Sequence, residues 1–156
     1  MKRKTESGIA LVEVIVGIAI TGLVLVFVSH TITLFVTGAA ETRTRTKALY
    51  LAEEGVEVMR YMRDSDWNII DTELSNDTSY YLTVATTSLA TTTTPEIIDG
   101  TYTRSFSLSE VRRDADDDIV SSGGTVDSHS RFITFSVGWG TATVTLPSLL
   151  TNIHDI

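Results

Sequence analysis

The stretch "SGIALVEVIVGIAITG", residues 7–22, decides how this chain is organised. It opens an apolar run from Ile9 to Val28 in which Glu13 is the only charged residue. A helix of about 20 apolar residues is long enough to cross a hydrocarbon core of about 30 Å. An ionised carboxylate at membrane depth costs about 2.5–3.5 kcal/mol on insertion scales, so Glu13 requires a functional explanation.

Length and composition restrict the remaining possibilities. A chain of 156 residues holds one domain plus a membrane element. The formal net charge of −8 argues against nucleic acid as a partner, because the sequence has no basic stripe to neutralise phosphates. There are no cysteines, which excludes disulfides, thiolate catalysis and zinc–thiolate sites.

The basic residues at positions 2–4 directly precede the apolar run, which predicts a cytoplasmic start and export of the rest of the chain. An ordinary secretory signal cut after Ala40, in "TGAA", would need an apolar stretch about half as long, since such signals carry roughly 7–15 apolar residues. A plain uncleaved anchor would fit the length. That interpretation leaves Glu13 and the glycines Gly8, Gly17 and Gly22 unexplained.

A third interpretation uses the whole motif: a short basic leader ending in Gly8, then Ile9, then a glutamate fifth after the glycine within an apolar helix. This motif resembles the amino terminus of type IV prepilins and of the pseudopilins of type II secretion. In that family a membrane peptidase cuts after the glycine and methylates the new terminal amine. The resemblance implies cleavage between Gly8 and Ile9, N-methylation of Ile9, and a role for Glu13 in assembly. The chain departs from the family in having Ile9 where phenylalanine is usual.

Charge pairing gives Glu13 a physical role under this interpretation. Cleavage after Gly8 would create a positive amine on Ile9, and opposite charges in apolar surroundings cost much less paired than alone. Ile9 and Glu13 are one helical turn apart, so they could pair within one chain or between neighbouring chains; the resemblance favours the second. Gly22 is a candidate point of local helix melting, because glycine weakens a helix interior. The family's frequent proline further along is absent here, with His30 in its neighbourhood.

The helix is predicted to continue well beyond the membrane run. Leu49, Ala52, Val56, Met59 and Met62 recur at spacings of three and four, which defines one apolar stripe. The sequence therefore divides into a leader at 1–8, a helix at 9–65 with its transmembrane and assembly segment at 9–36, and a β-rich globular head at 66–156.

The head is predicted to be an antiparallel sheet of about four strands, packed against the amphipathic half of the helix in a pilin-like α+β fold. "SYYLTVAT", "TYTRSFSLSEV", "RFITFSVGW" and "TATVTLPSL" supply the strands, and "VGWGTAT" predicts a tight hairpin around Gly140. The Thr-rich "TTSLATTTTPE", residues 86–96, is expected to be an exposed connection. Tyr102, Arg104, Phe106, Leu108 and Glu110 do not all suit one buried face.

The acidic run "RRDADDDIVSSGG" offers the only candidate metal ligands. Asp114, Asp116 and Asp118 alternate as in loops that bind Ca²⁺, but the glycine and the downstream glutamate of an EF-hand loop are missing. A solvated turn between strands is the favoured alternative. No other cofactor is expected. The three histidines lie in no arrangement that indicates catalysis, so the chain is not expected to be an enzyme.

The resemblance implies a structural subunit of a type IV pilus or pseudopilus, polymerised through its N-terminal helix. Its partners would be homologous pilin subunits, the prepilin peptidase and the assembly machinery of the inner membrane. The precursor would cross that membrane once, and the assembled form would be a surface fibre or a periplasmic pseudopilus. The alternative is an uncleaved, single-pass, membrane-anchored module that binds a ligand outside the cytoplasm.

Overall fold

One long helix dominates the first half of the computed structural model, which describes residues 4–85 and 88–153. Helix α1 spans Lys4–Ser65 and helix α2 spans Asn68–Asp71. No proline interrupts α1, since the first proline of the chain is Pro95. The chain divides between Thr44 and Arg45 into two compact units, so the second half of α1 belongs with the head.

The head contains a long N-terminal helix segment packed on an antiparallel sheet, which confirms the predicted α+β fold. The described residues form seven strands: β1 Tyr80–Ala85, β2 Ser88–Thr92, β3 Ile97–Ile98, β4 Tyr102–Arg113, β5 Ile119–Val120, β6 Thr125–Trp139 and β7 Ala142–Thr151. Their order is β2-β1-β4-β6-β7, with β3 and β5 paired to β4.

The four predicted strands correspond to β1, β4, β6 and β7, and three further strands were missed. β3 and β5 have two residues each, too few for a periodic pattern to show. β2 lies in the Thr-rich stretch that was expected to be a simple connection; instead it pairs antiparallel with β1. Threonine is β-branched and favours strands, so this composition was compatible with either structure.

The hairpin between β6 and β7 forms where "VGWGTAT" predicted it. Trp139 pairs with Ala142, which leaves Gly140 and Thr141 as the loop. Gly140 has a φ of 55°, a conformation that favours glycine. Along β6 the predicted alternation holds, because Ile133, Phe135 and Val137 are buried whereas the residues between them are half-buried.

The core lies between the sheet and the second half of α1. The helix contributes Ala48, Ala52, Val56, Met59 and Met62, all buried. Four of these were predicted from the apolar stripe. The prediction for Leu49 was wrong, because Leu49 is 39% exposed and Ala48 occupies the first buried position. An alanine there gives little hydrophobic signal in the sequence.

The closest approach between helix and sheet occurs at Gly55. A Cβ atom there would lie 2.4 Å from Phe135 Cε1 and 2.6 Å from Phe135 Cδ1. The Phe135 ring is fully buried and packs on Phe106, with centroids 5.3 Å apart. Gly55 is therefore required by packing at this crossing.

Strand β4 presents an arginine to the core face. Glu110, on the same alternation, is exposed, which confirms the prediction that the five alternate residues do not all suit one buried face. Tyr102, Arg104, Phe106 and Leu108 are all buried. The Arg104 guanidinium donates from Nη1 to the Leu51 carbonyl oxygen at 3.0 Å and to Glu54 Oε2 at 2.8 Å. These bonds to the helix allow the charge to be buried, since an unpaired buried charge is costly.

Candidate functional site

The apolar segment, residues 9–36 of α1, presents a hydrophobic surface that the described chain does not cover. Every valine, leucine, isoleucine and phenylalanine in it is between 49% and 77% exposed. Burying one such side chain is worth about 1.5–3 kcal/mol, so a surface of this kind requires lipid or protein around it. Among the described residues α1 is the one helix long and apolar enough to cross a membrane.

Threonine hydroxyls in and just beyond the apolar segment are satisfied by the helix itself. Thr21 donates to the Gly17 carbonyl oxygen at 2.8 Å, and Thr31 donates to that of Phe27 at 2.9 Å. Thr33, Thr37, Thr42 and Thr44 bond to the preceding turn in the same way. Such bonds remove the cost of placing hydroxyls in apolar surroundings.

Glu13 differs from these threonines. It lies on the exposed helix surface, and no hydrogen bond or ion pair joins it to another described residue. A carboxylate has only acceptors when ionised, so it requires a donor from elsewhere. The segment thus combines an uncovered apolar surface with one unmet charge.

The predicted processing site lies on the same helix. Gly8 and Ile9 are both helical, and Ile9 is 70% exposed. Glu13 follows Ile9 by one helical turn, the spacing that charge pairing requires. Residues 1–3 of the predicted leader lie outside the described residues.

Gly22, the candidate melting point, is helical here. Apart from its chain neighbours and the backbone of its own helical turns, no atom lies within 4 Å of a Cβ placed at Gly22, and the same is true of Gly17. With Val14, Ile18 and Leu25, these glycines form a shallow apolar groove on the helix surface. Melting at Gly22 concerns an assembled state and stays a prediction.

The acidic turn, residues 114–118, is held by its own hydrogen bonds. Asp114 Oδ1 accepts the backbone N–H groups of Asp116 and Asp118, each at 3.0 Å. Asp117 has a φ of 67°, which this turn requires. Within the described residues, no group of three or more acidic or histidine side chains is arranged to hold a metal ion. Calcium binding by Asp114, Asp116 and Asp118 stays the alternative to the solvated turn that the sequence favours.

An arginine clamp anchors that turn to β6. Arg113 donates from Nε to Asp127 Oδ2 at 2.8 Å and from Nη1 to the Asp117 carbonyl oxygen at 2.9 Å. The Arg113 hydrogen bond, together with those from Ser130 and the His129 backbone, lowers the pKa of Asp127 to about 2. The same carboxylate raises the pKa of Arg113.

Sequence reasoning missed both anchoring arginines. Arg104 and Arg113 lie on one strand, nine positions apart, and nothing in their spacing distinguishes them from surface residues. The one available signal was the period-two pattern through Tyr102, Phe106 and Leu108, which places Arg104 on the apolar face.

Comparisons with models of protein families, with curated proteins and with solved structures gave no match to this chain. Function must therefore be inferred from the residues themselves, above all from the apolar segment and Glu13.

Proposed function

We propose that this chain is a structural subunit of a type IV pilus or pseudopilus, cleaved after Gly8 and polymerised through its N-terminal helix. The observation that carries the proposal is the apolar segment, an uncovered helix with a lone carboxylate five residues after Gly8. In the membrane the segment is an anchor; in a fibre the same surface packs against copies of itself.

The lone carboxylate favours assembly over simple anchoring. A charge at the centre of a membrane helix costs about 2.5–3.5 kcal/mol, and a membrane anchor gains nothing from carrying Glu13 within its apolar run. In a fibre, the new amine of Ile9 on one subunit pairs with Glu13 of a neighbour and fixes the axial register between them. Pairing of this kind also penalises wrong registers, because each leaves two unpaired charges in apolar surroundings.

The head suits the same role. Its sheet is covered by the second half of α1, and Arg104 ties the two together through Leu51 and Glu54. The apolar segment is thus joined, through one uninterrupted helix, to a domain that folds around that helix. The proposed partners are further copies of homologous subunits, the prepilin peptidase and the assembly machinery of the inner membrane.

Sequencing the mature amino terminus tests this proposal. The full chain is co-expressed with a prepilin peptidase, and the membrane fraction is analysed by N-terminal mass spectrometry. We expect a chain that begins at N-methylated Ile9. Gly8→Val should block cleavage, whereas Gly17→Val, at a glycine of the same helix with open space around an added Cβ, should leave it unchanged.

Two other termini would contradict the proposal. A chain that retains Met1 with the peptidase present would support an uncleaved, membrane-anchored binding module. A chain that begins at Glu41 would show an ordinary secreted protein. Loss of processing in Gly17→Val as well as in Gly8→Val would mean that the helix, rather than the cleavage motif, was disturbed.

A further inference from the structure

A polar pocket of about 630 Å³ lies in the head where α1 ends. It belongs wholly to the compact unit that begins at Arg45. Its lining includes Asp64, Asp66, Trp67, Asp71, His129 and Asn152. The volume is within the range of roughly 300–1,000 Å³ typical of small-molecule sites, and the proposed assembly role makes no use of it.

One wall of the polar pocket is built by the turn from α1 into α2. The Asp66 N–H donates to the Met62 carbonyl oxygen at 3.0 Å and closes the last turn of α1. Asp66 Oδ1 then accepts the backbone N–H and the side-chain amide of Asn68, at 2.9 and 3.0 Å. This turn brings Trp67 to the pocket, where the half-buried indole packs on the core on one side and lines the pocket on the other.

The opposite wall comes from β6 and the residue that follows β7. The Asn152 N–H donates to the His129 carbonyl oxygen at 2.8 Å. Arg131, on β6, pairs with Asp71 and also donates to the Ser130 carbonyl oxygen at 2.9 Å. The two walls are therefore joined without a ligand, and a pre-formed site loses less entropy on binding.

The lining chemistry restricts the class of ligand. None of the described lining residues is lysine or arginine, which disfavours anions. Two of the three carboxylates already pair with arginines, Asp64 with Arg63 at 2.7 Å and Asp71 with Arg131, which weakens attraction for a cation. Carboxylates in such ion pairs still accept hydrogen bonds from hydroxyl groups, and so do side-chain amide oxygens.

We propose that the polar pocket binds a neutral saccharide. Its hydroxyl groups would donate to the carboxylates of Asp66 and Asp71 and exchange hydrogen bonds with the Asn152 side of the pocket. Its apolar C–H face would lie on the Trp67 indole, which offers an apolar body beside polar groups. This site is independent of polymerisation, so a chain that fails to assemble could still bind sugar.

Tryptophan fluorescence of the full chain tests the proposal. The chain is held as single subunits in a zwitterionic, sugar-free detergent. Trp139→Phe, which replaces the second tryptophan of the chain outside the pocket, leaves Trp67 as the reporter. The probes are glucose, galactose, mannose and N-acetylglucosamine. At least one should give a saturable change in emission that added salt does not alter.

Substitution at the rim provides the specificity control. Ser128 is exposed on β6 and lines the pocket, so Ser128→Tyr should fill the pocket and weaken binding at least tenfold. Ser121→Tyr, at another exposed serine outside the pocket, should have no effect. If Ser128→Tyr fails to fold, Ser65→Tyr, at a second exposed lining position, takes its place.

Three outcomes would overturn the proposal. The first is the absence of a saturable signal with every sugar of the panel. The second is a signal that Ser128→Tyr, or its substitute Ser65→Tyr, leaves unchanged. The third is tighter, salt-sensitive binding of tetramethylammonium, which would assign the polar pocket to cations instead.

Discussion

Gly55→Ala should destabilise the head even though alanine is the better helix former. The added methyl group would meet three atoms of the Phe135 ring, at 2.4, 2.6 and 2.9 Å. Overpacking of this kind costs about 1–3 kcal/mol. We expect the upper end, because the ring is fully buried and held by Phe106. The gain in helix propensity is about 0.8–1 kcal/mol, which leaves a net loss of about 2 kcal/mol.

Urea unfolding of the full chain in detergent micelles, followed by tryptophan emission, measures this loss. Gly38→Ala is the matched control, since nothing lies within 4 Å of a Cβ at that position of the same helix. Phe135→Leu in the Gly55→Ala background should recover part of the loss through a favourable coupling energy. An unfolding midpoint for Gly55→Ala equal to or above that of the parent chain would refute the packing argument.

Four further predictions concern assembly, the core ion pair and the acidic turn. Glu13→Ala should insert and be cleaved normally yet fail to enter fibres, measured by sheared-fibre yield; parental yield would contradict the pairing. Glu54→Ala should lower the free energy of unfolding by about 1–3 kcal/mol, because it leaves the buried Arg104 with fewer partners. Arg104→Met should lower it by less. Urea unfolding measures both, and the reverse order would contradict the prediction. Because the pKa of Asp127 is lowered from 3.8 to about 2, the ionised carboxylate stabilises the fold above pH 3.8, and this stability is lost as the pH falls towards about 2. Between these two pH values, the free energy of unfolding of Asp127→Asn should therefore fall less than that of the parent chain. The acidic turn should give no calorimetric heat with Ca²⁺, because its first carboxylate already accepts two backbone N–H groups; a calcium-dependent rise in Tm would contradict this.

The helix and the longest strands were predictable because their patterns are local. The stripe through Ala52, Val56 and Met59 and the alternation in β6 each report burial along a single element. The alternation along β4 places Arg104 on the apolar face, but the partners that make its burial possible were not predictable in this way. Its burial depends on Leu51 and Glu54, some fifty residues earlier in the chain, and no local pattern carries that partnership.

The functional features also divide into those that a local sequence pattern predicts and those that it does not. Gly8, Ile9 and Glu13 could be selected from the sequence because the motif lies within six consecutive residues of one helix. The polar pocket could not, because its walls come from the end of α1 and from β6, joined by Arg131 and Asp71 sixty residues apart. Features assembled across the sheet require the register of the strands, which composition does not determine.

Polar groups without a partner and apolar surface without a cover are unequally distributed between the head and the apolar segment. In the described head, the one buried side-chain nitrogen or oxygen without a hydrogen-bond partner is Nε of Arg104, whose Nη1 makes two bonds. In the apolar segment the threonines are satisfied by the helix, yet the hydrophobic surface is uncovered and Glu13 has no described partner. The acyl chains of lipid can cover the hydrophobic surface but offer Glu13 no opposite charge. Under the proposed function, a neighbouring copy with a free amine at Ile9 would supply both, so the carboxylate supports the proposal of assembly over anchoring.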